Sequence, residues 1–476
     1  MKVVLVQPRG YSWSVRPRIA TVACIMPPVG IASIAAVLRD AGHSVAIVDG
    51  ALNYRMNNRQ LAERIVAGKP DLVGFSATTS GFPDAYDCCR IVKELQPEVL
   101  TVFGGVHASW GRERLIEEYP AIDYLVAGEG EEVFRRLAEG DTDCDRLYFR
   151  NNGAVVHGTR EVDPIELDTL PYPAYDLLDG FPRKYLLPLF SYPRHPGATV
   201  ISSRGCVYRC SYCDRSVFGK GFRWNSPEYT FGQIEWLHRE FGVRHVNFYD
   251  DLFTLNRGRV AALCEKLAAA CLPVSFNCIV RIGHIDAELI ALLKRGGCFM
   301  VSVGIESGDQ SFLDSHKEGL ALDAVRRDVE LLHTSGLWVK GLFMMGFPGE
   351  TPETIQATRA FALSLKLKDA NMTAFTPFPG APITATINEH GAFDNDWSKL
   401  DCEQFVFIPN GMASREVLEG EQTQFYRQFY SRSFMRYHVY PKLLLQSPHS
   451  IWRLLRNAPA FLGYRRSMDK KNVSGR

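Results

Sequence analysis

The sequence predicts an α/β protein: two successive parallel-sheet units, then a helical region. Short apolar runs alternate with amphipathic helical stretches over residues 1–140, the alternation resumes at Thr199, and it gives way to aromatic, helical sequence after about residue 390. The length of 476 residues gives room for two to three domains. With 46% hydrophobic and 22% charged residues, the composition is that of a globular chain and excludes a disordered or collagen-like one. No apolar run reaches the roughly 18–20 residues that a membrane span needs. The opening run Met1-Lys2-Val3-Val4-Leu5-Val6 enters a strand without the layout of a signal peptide, so a cytoplasmic location is expected.

In the first unit, Val3–Val6 reads as a buried strand and Pro27–Ala41 as a helix, with Ile31, Ile34, Ala35 and Leu38 on one face. Strands follow at Val45–Val48, Leu72–Ser76, Leu100–Phe103 and Tyr124–Ala127. Apolar strands alternating with helices imply a doubly wound sheet of Rossmann-like or flavodoxin-like type, with ligands beyond the carboxyl ends of the strands. Ser76-Ala77-Thr78-Thr79 and Gly104-Gly105-Val106-His107 fall at those ends. Residues 141–194, with Pro171, Pro173, Pro182, Pro188 and Pro193, read as a linker. Between 195 and 390, six βα units carry strands at Thr199–Ile201, Val246–Tyr249, Ser275–Cys278, Met300–Val303, Val339–Met344 and Met372–Phe375. They predict a partial (β/α)6 barrel whose site lies at the carboxyl ends of its strands. Residues 391–476 read as a helical, basic C-terminal region.

Three of the 12 cysteines, Cys206, Cys210 and Cys213, fall within eight residues after the first barrel strand. Three soft thiolates on one loop suit an iron–sulfur cluster or zinc. A closed structural zinc site takes four ligands, and no fourth Cys or His completes a compact pattern nearby.

The spacing C-x-x-x-C-x-aromatic-C, with Tyr212 as the aromatic residue, resembles the signature of the radical S-adenosylmethionine (SAM) superfamily. The resemblance recurs in order along the later strands, at Tyr249-Asp250-Asp251, Gly304-Ile305-Glu306-Ser307-Gly308, Gly346-Phe347-Pro348-Gly349-Glu350-Thr351 and Phe378-Pro379-Gly380. It implies that Cys206, Cys210 and Cys213 hold a [4Fe–4S] cluster whose fourth iron binds SAM, which is cleaved reductively to a 5′-deoxyadenosyl radical. It also implies that Tyr212 sits by the adenine and that Asp250 and Asp251 lie near the SAM amino group. Arg281 and Glu306 become candidates for its polar groups, and Gly346 for the adenine and ribose.

A Rossmann-like domain ahead of such a barrel resembles the cobalamin-binding radical SAM enzymes, through Pro27–Ile31, Ser76–Thr78, Val102–His107 and Gly128-Glu129-Gly130-Glu131. That resemblance implies cobalamin near Ser76, Thr78, Gly104 and Gly105, with His107 a candidate contact. Asp314-Ser315-His316-Lys317-Glu318-Gly319 formally matches the D-x-H-x-x-G motif of other cobalamin proteins, but it lies inside the barrel. The first strand-to-helix loop, Gln7–Tyr11, has neither Asp nor His. The match is therefore read as accidental.

From Ser431 onward ten Lys/Arg face one Asp, a local charge of +9, although the whole chain carries only +1. With Leu443–Leu445, Trp452, Leu454 and Leu455 among these cations, peripheral membrane contact is a candidate. Nucleic acid is not expected as a partner. The resemblance as a whole implies a cobalamin-dependent methyltransferase acting on an unactivated carbon of a small-molecule or lipid-like intermediate, supplied with electrons by a flavodoxin or ferredoxin. Alternatives are a radical SAM oxidative cyclase, oxidoreductase or rearrangement enzyme without methyl transfer, the cyclase as in the magnesium-protoporphyrin monomethyl ester cyclases of similar domain order, and a non-enzymatic cobalamin or metal sensor.

Overall fold

The computed structural model describes residues 1–10 and 24–457. The first sheet takes β1 (Lys2–Gln7), β2 (Ser44–Asp49), β3 (Leu72–Ser76), β4 (Leu100–Gly104) and β5 (Tyr124–Val126) in parallel, in the order β2-β1-β3-β4-β5. This is the flavodoxin-like order, whose direction reverses between β1 and β3. Helices α1 (Val29–Asp40), α2 (Asn58–Val66), α3 (Phe82–Leu95), α4 (Val106–Glu118) and α5 (Glu131–Ala138) connect the strands and cover both faces. Local sequence fixes their starts: the Asn57 side chain caps α2 reciprocally with Gln60, and Pro83 sits in the first turn of α3.

The sheet runs further than the sequence reading expected. Residues assigned to the linker form β6 (Leu147–Asn151) and β7 (Ala154–His157), which extend the sheet antiparallel beyond β5. Asn152-Gly153 turns between them with both residues at positive φ, 52° and 83°. That is the dipeptide a two-residue hairpin favours. The rest of the connection is stitched to both units. Tyr185 donates its hydroxyl proton to Asp49 (3.0 Å), and Tyr175 donates to the Thr199 carbonyl (2.6 Å).

The second unit opens with β8 (Gly197–Val200), followed by a short ribbon of β9 (Ser203–Arg204) and β10 (Arg223–Trp224). Then α6 (Pro227–Phe241), β11 (His245–Phe248), α7 (Arg257–Ala269), β12 (Ser275–Val280), α8 (Ala287–Arg295) and β13 (Cys298–Glu306) alternate. The unit closes with α9 (Gln310–His316), α10 (Leu322–Thr334), β14 (Trp338–Met345), α11 (Pro352–Ser364) and β15 (Asp369–Ala374). The six long strands are parallel in the order β15-β14-β13-β12-β11-β8, an open half-barrel around one large apolar core.

C-terminal to the barrel lie α12 (Ile387–His390) and an antiparallel pair, β16 (Gly391–Phe393) with β17 (Phe407–Pro409). The sequence reading expected only helix there. Helices α13 (Arg415–Ser431), α14 (Tyr440–Gln446) and α15 (Pro448–Arg456) follow. α13 buries Leu418, Phe425 and Phe429, and Tyr426 and Tyr430 hydrogen-bond along β15. It thereby covers a strand edge that would otherwise be open.

Candidate active site

Two clefts open at the carboxyl ends of the two sheets. The first encloses about 1130 Å³, open mouth included, and is lined by Leu5, Gly74–Ser76, Val102–Gly105, Val126 and Gly128–Glu131. Its inner part is an apolar slot between the sheet and helices α1 and α5, walled by Leu5, Ile31, Ile34, Val102, Val126 and Phe134. Backbone shapes this slot. Gly105 has φ +95°, and a Cβ there would meet the Ala77 carbonyl at 2.8 Å. A Cβ on Gly104 would find nothing nearer than the Val126 carbonyl, at 3.9 Å, and would grow into the cleft. A bare, mostly neutral floor above an apolar slot fits a macrocycle with an aromatic tail. Among the described residues, no histidine lines this cleft.

Of the residues expected here, Ser76, Gly104 and Gly105 line the cleft; Thr78 and His107 do not. The Thr78 hydroxyl accepts from the Gly81 amide (3.2 Å) and shapes the turn into α3. His107, 1% exposed, is boxed by Phe82 (centroids 4.4 Å apart), Trp110 and Trp397, with Nδ1 3.3 Å from the Thr79 hydroxyl. Burial pushes its pKa down to about 4. Being neutral and walled in by aromatic rings, it is part of the seam with the C-terminal region and makes no contact with the cleft.

The second cleft, of about 1260 Å³, is lined by Cys206, Cys210 and Cys213 together with Tyr208, Tyr212, Asp251, Arg281, Glu306 and Lys317. A hydrogen bond with Cys213 holds the Cys210 thiol below its ordinary range, against the penalty of burial and with help from Lys317. Among the described residues, no three His, Cys, Asp or Glu side chains close on a single metal ion. Three thiols spread around one roomy cavity fit a multi-iron cluster better than a lone zinc.

The loop that carries the cysteines is fixed from several strands. Asp250, 1% exposed, accepts from the Ser202 amide and from the Ser202 and Ser203 hydroxyls, each at 2.7 Å, and pairs with buried Arg259 at 3.5 Å. Its carboxylate is thus occupied inside the protein, contrary to the expectation that it faces SAM. Its neighbour Asp251 does line the cavity and accepts from the Gly205 amide (3.1 Å), with burial raising its pKa. Arg281 stacks its guanidinium 3.3 Å from the Tyr208 ring centroid and donates to the Glu318 carbonyl. Glu306 ends β13 at φ +65°, a left-handed conformation uncommon for a non-glycine residue, and pairs with Lys317 at 2.7 Å. Gly346 lies outside the cavity: its amide bonds to Glu350, whose pKa burial pushes up to about 7. The loop acts instead through Phe347, which packs edge-on to Tyr212 (5.9 Å) and against His316 (4.5 Å). His316 in turn sits 3.0 Å from the Ser211 hydroxyl, between two of the cysteines, so the formal D-x-H-x-x-G histidine braces the cysteine loop.

A contact that no sequence motif announces ties the start of the cysteine loop to the wall of the first cleft. Arg204, two residues before Cys206, ion-pairs with Glu129 (2.5 Å) and Glu131 (2.6 Å) across the domain boundary, and Arg223 pairs with Glu129 as well. Glu131 also accepts from Ser33 of α1 (2.9 Å). Glu-Gly-Glu at a helix start and Arg just ahead of a cysteine are visible in the sequence, but nothing in it pairs them. Val217 and Phe218 line both clefts, so the two share a wall.

Residues 15–138 match the family description "B12 binding domain" and residues 200–362 "Radical SAM superfamily". An uncharacterized methyltransferase of Pyrococcus horikoshii is 30% identical over 455 residues, 94% of each chain. The anaerobic magnesium-protoporphyrin IX monomethyl ester cyclase of Rubrivivax gelatinosus is 27% identical over 92% of this chain and 79% of its own. Among solved structures, the radical SAM methyltransferase TsrM of Kitasatospora setae, with cobalamin and a [4Fe–4S] cluster bound, superposes with a TM-score of 0.69 at 18% identity, covering 90% of this chain and 89% of its own. A B12-binding domain followed by a radical SAM domain makes cobalamin, SAM and a [4Fe–4S] cluster the cofactors of this enzyme. The chain belongs to the cobalamin-binding radical SAM enzymes.

Proposed function

We propose that the enzyme transfers a methyl group to an unactivated carbon of a small-molecule or lipid-like biosynthetic intermediate. The observation that carries this reading is the wall shared by the two clefts at Val217 and Phe218, which sets a corrinoid slot beside a thiol-lined cavity. When bound, the cluster and SAM supply a 5′-deoxyadenosyl radical and cobalamin supplies the methyl group.

The chain's own side chains do the rest. Cys206, Cys210 and Cys213 hold the cluster. Cations Arg281 and Lys317 and carboxylates Asp251 and Glu306 present both signs of charge to the same cavity, which suits the zwitterionic end of SAM. Tyr212, backed by Phe347, offers an aromatic face for the adenine. Leu252, Ile279, Val280 and Leu342 complete the wall with apolar surface that keeps water from a reactive carbon-centred species. In the cleft proposed for the corrinoid, backbone at Gly104–Gly105 and the Ser76 hydroxyl would meet the ligand, and among the described residues no imidazole lines it. A flavodoxin or ferredoxin delivers the electron.

The test is an anaerobic assay of the cobalamin- and cluster-loaded enzyme with SAM, a reductant and candidate acceptors. Methyl transfer yields S-adenosylhomocysteine and 5′-deoxyadenosine together. A second reading, radical oxidation or cyclisation without methyl transfer, is favoured by the match to the cyclase over 92% of this chain. It yields 5′-deoxyadenosine alone during turnover, and that result would reject the methyltransferase.

A further inference from the structure

Helix α15 reverses the usual polarity of a docked helix, and α14 before it buries only Leu443 and leaves two adjacent leucines outside. The protein-facing side of α15 and of the Ser447 turn between the two is polar. Ser447 donates to the Tyr192 carbonyl (3.0 Å), the Ser450 hydroxyl accepts from the Phe190 amide (3.1 Å), and Arg453 donates to the Leu187 carbonyl (2.9 Å). Ser447, Ser450 and Arg453 are all buried, whereas Leu444 is 61% exposed, Leu445 83%, Trp452 62% and Leu455 69%. α13, immediately before, does the opposite and turns Leu418, Phe425 and Phe429 inward. Isolated exposed leucines need no explanation, but four large apolar side chains left exposed within 12 residues, with the buried positions of α15 taken by serine and arginine, mark a contact surface.

The charge around this face identifies what it meets. Arg436, Lys442 and Arg456 are exposed beside it, and Arg456 lies 5.1 Å from the Trp452 ring centroid. In sequence, the 19 residues that follow Asn457 carry Arg465, Arg466, Lys470, Lys471 and Arg476 against Asp469 alone. Tryptophan and leucine interleaved with arginine and lysine form the chemistry of the interfacial zone of an anionic bilayer. An acidic protein partner would use the cations but leave the leucines without a function. The face lies where the barrel strands begin: His449 of α15 packs on Tyr192 and His195, just before β8. The cysteine loop leaves the opposite end, so docking here does not obstruct either cleft.

We propose that α14 and α15 form a peripheral membrane-docking face for anionic lipid. This does not depend on the reaction catalysed. The test uses the full chain, loaded with its cofactors, in flotation with phosphatidylcholine vesicles with and without phosphatidylglycerol. Binding is expected only with the anionic lipid and should fall as salt rises. The double variant Leu445→Glu/Trp452→Glu, changed at exposed positions, should bind at least about tenfold more weakly while reductive SAM cleavage is unchanged. Truncation after Asn457 should weaken binding as well, by removing net positive charge. No flotation with anionic vesicles, or flotation that the double variant retains, overturns the proposal. A dimer that the double variant dissociates overturns it in favour of a second copy. Stronger binding after truncation overturns it in favour of the chain's own end as the occupant.

Discussion

The cleft proposed for the corrinoid is walled by Gly74, Gly104, Gly105, Gly128 and Gly130 and by apolar side chains, whereas the cavity proposed for SAM is walled by three thiols, three carboxylates and three cations. One recognises a large, mostly neutral ligand by the shape of its backbone; the other recognises a charged one by placed side chains. The contrast explains how each would fail. A side-chain deletion empties the SAM cavity of its chemistry, whereas in the corrinoid cleft the harmful change is an added side chain. The Arg204 ion pairs are the exception, since they put charged groups on the wall of the first cleft and tie it to the loop that carries the cysteines.

The largest effect expected is from Cys210→Ala, which should abolish 5′-deoxyadenosine formation and lower iron content while bound corrinoid stays. Loss of both cofactors together would show that the clefts are not separable. Next comes Arg204→Ala. It leaves Glu129 and Glu131, both under 8% exposed, without their shared cation, and breaking such a buried pair costs about 3–5 kcal/mol. Chemical denaturation of the apoprotein measures it, and a change below about 1 kcal/mol would mean that water reaches the carboxylates. Gly105→Ala forces a left-handed conformation at a further approximate cost of 1–3 kcal/mol. Gly104→Leu sharpens that result: with open space at its Cβ, it should displace corrinoid, read by absorbance of the purified protein, while thermal stability and SAM cleavage persist.

The smallest effect is confined to acid. His107 has its pKa pushed down to about 4 by burial, below the ordinary 6.5 that it regains on unfolding. The unfolded chain therefore binds the extra proton first as pH falls, and stability drops between about pH 6.5 and 4, by up to about 3 kcal/mol from this residue. His107→Phe, which keeps a ring in the aromatic box, should flatten that limb of the stability–pH curve. An unchanged limb would place the acid sensitivity elsewhere, for example at His245, pushed down to about 3 by complete burial.

The contrast between the clefts also explains what the sequence made legible. The cysteine loop could be read because its three cysteines lie within eight residues, and the barrel because each strand is an apolar run. The corrinoid cleft was visible only in the order of several weak segments, since glycine is a common residue and its use depends on φ. Adjacent carboxylates could not be told apart: Asp250 turns inward to Ser202 and Arg259 while Asp251 turns to the cavity. His107 was unreadable for another reason, because Trp397, which closes its box, comes from the far side of the barrel in sequence. The β6–β7 hairpin, by contrast, was announced by Asn152-Gly153 and was passed over amid a proline-rich stretch.

The hydrogen bonds that dock α15 join residues 255 and 266 positions apart, Ser447 to Tyr192 and Arg453 to Leu187. During synthesis the flavodoxin-like sheet and all six barrel strands leave the ribosome before those bonds have a partner. The segment from Leu187 to Tyr192 therefore waits, its carbonyls uncovered, for the last part of the chain to arrive. A stop codon between the end of α13 and α15 would leave both cofactor folds intact on paper yet release a protein with an unsealed barrel floor, a natural target for quality-control proteolysis.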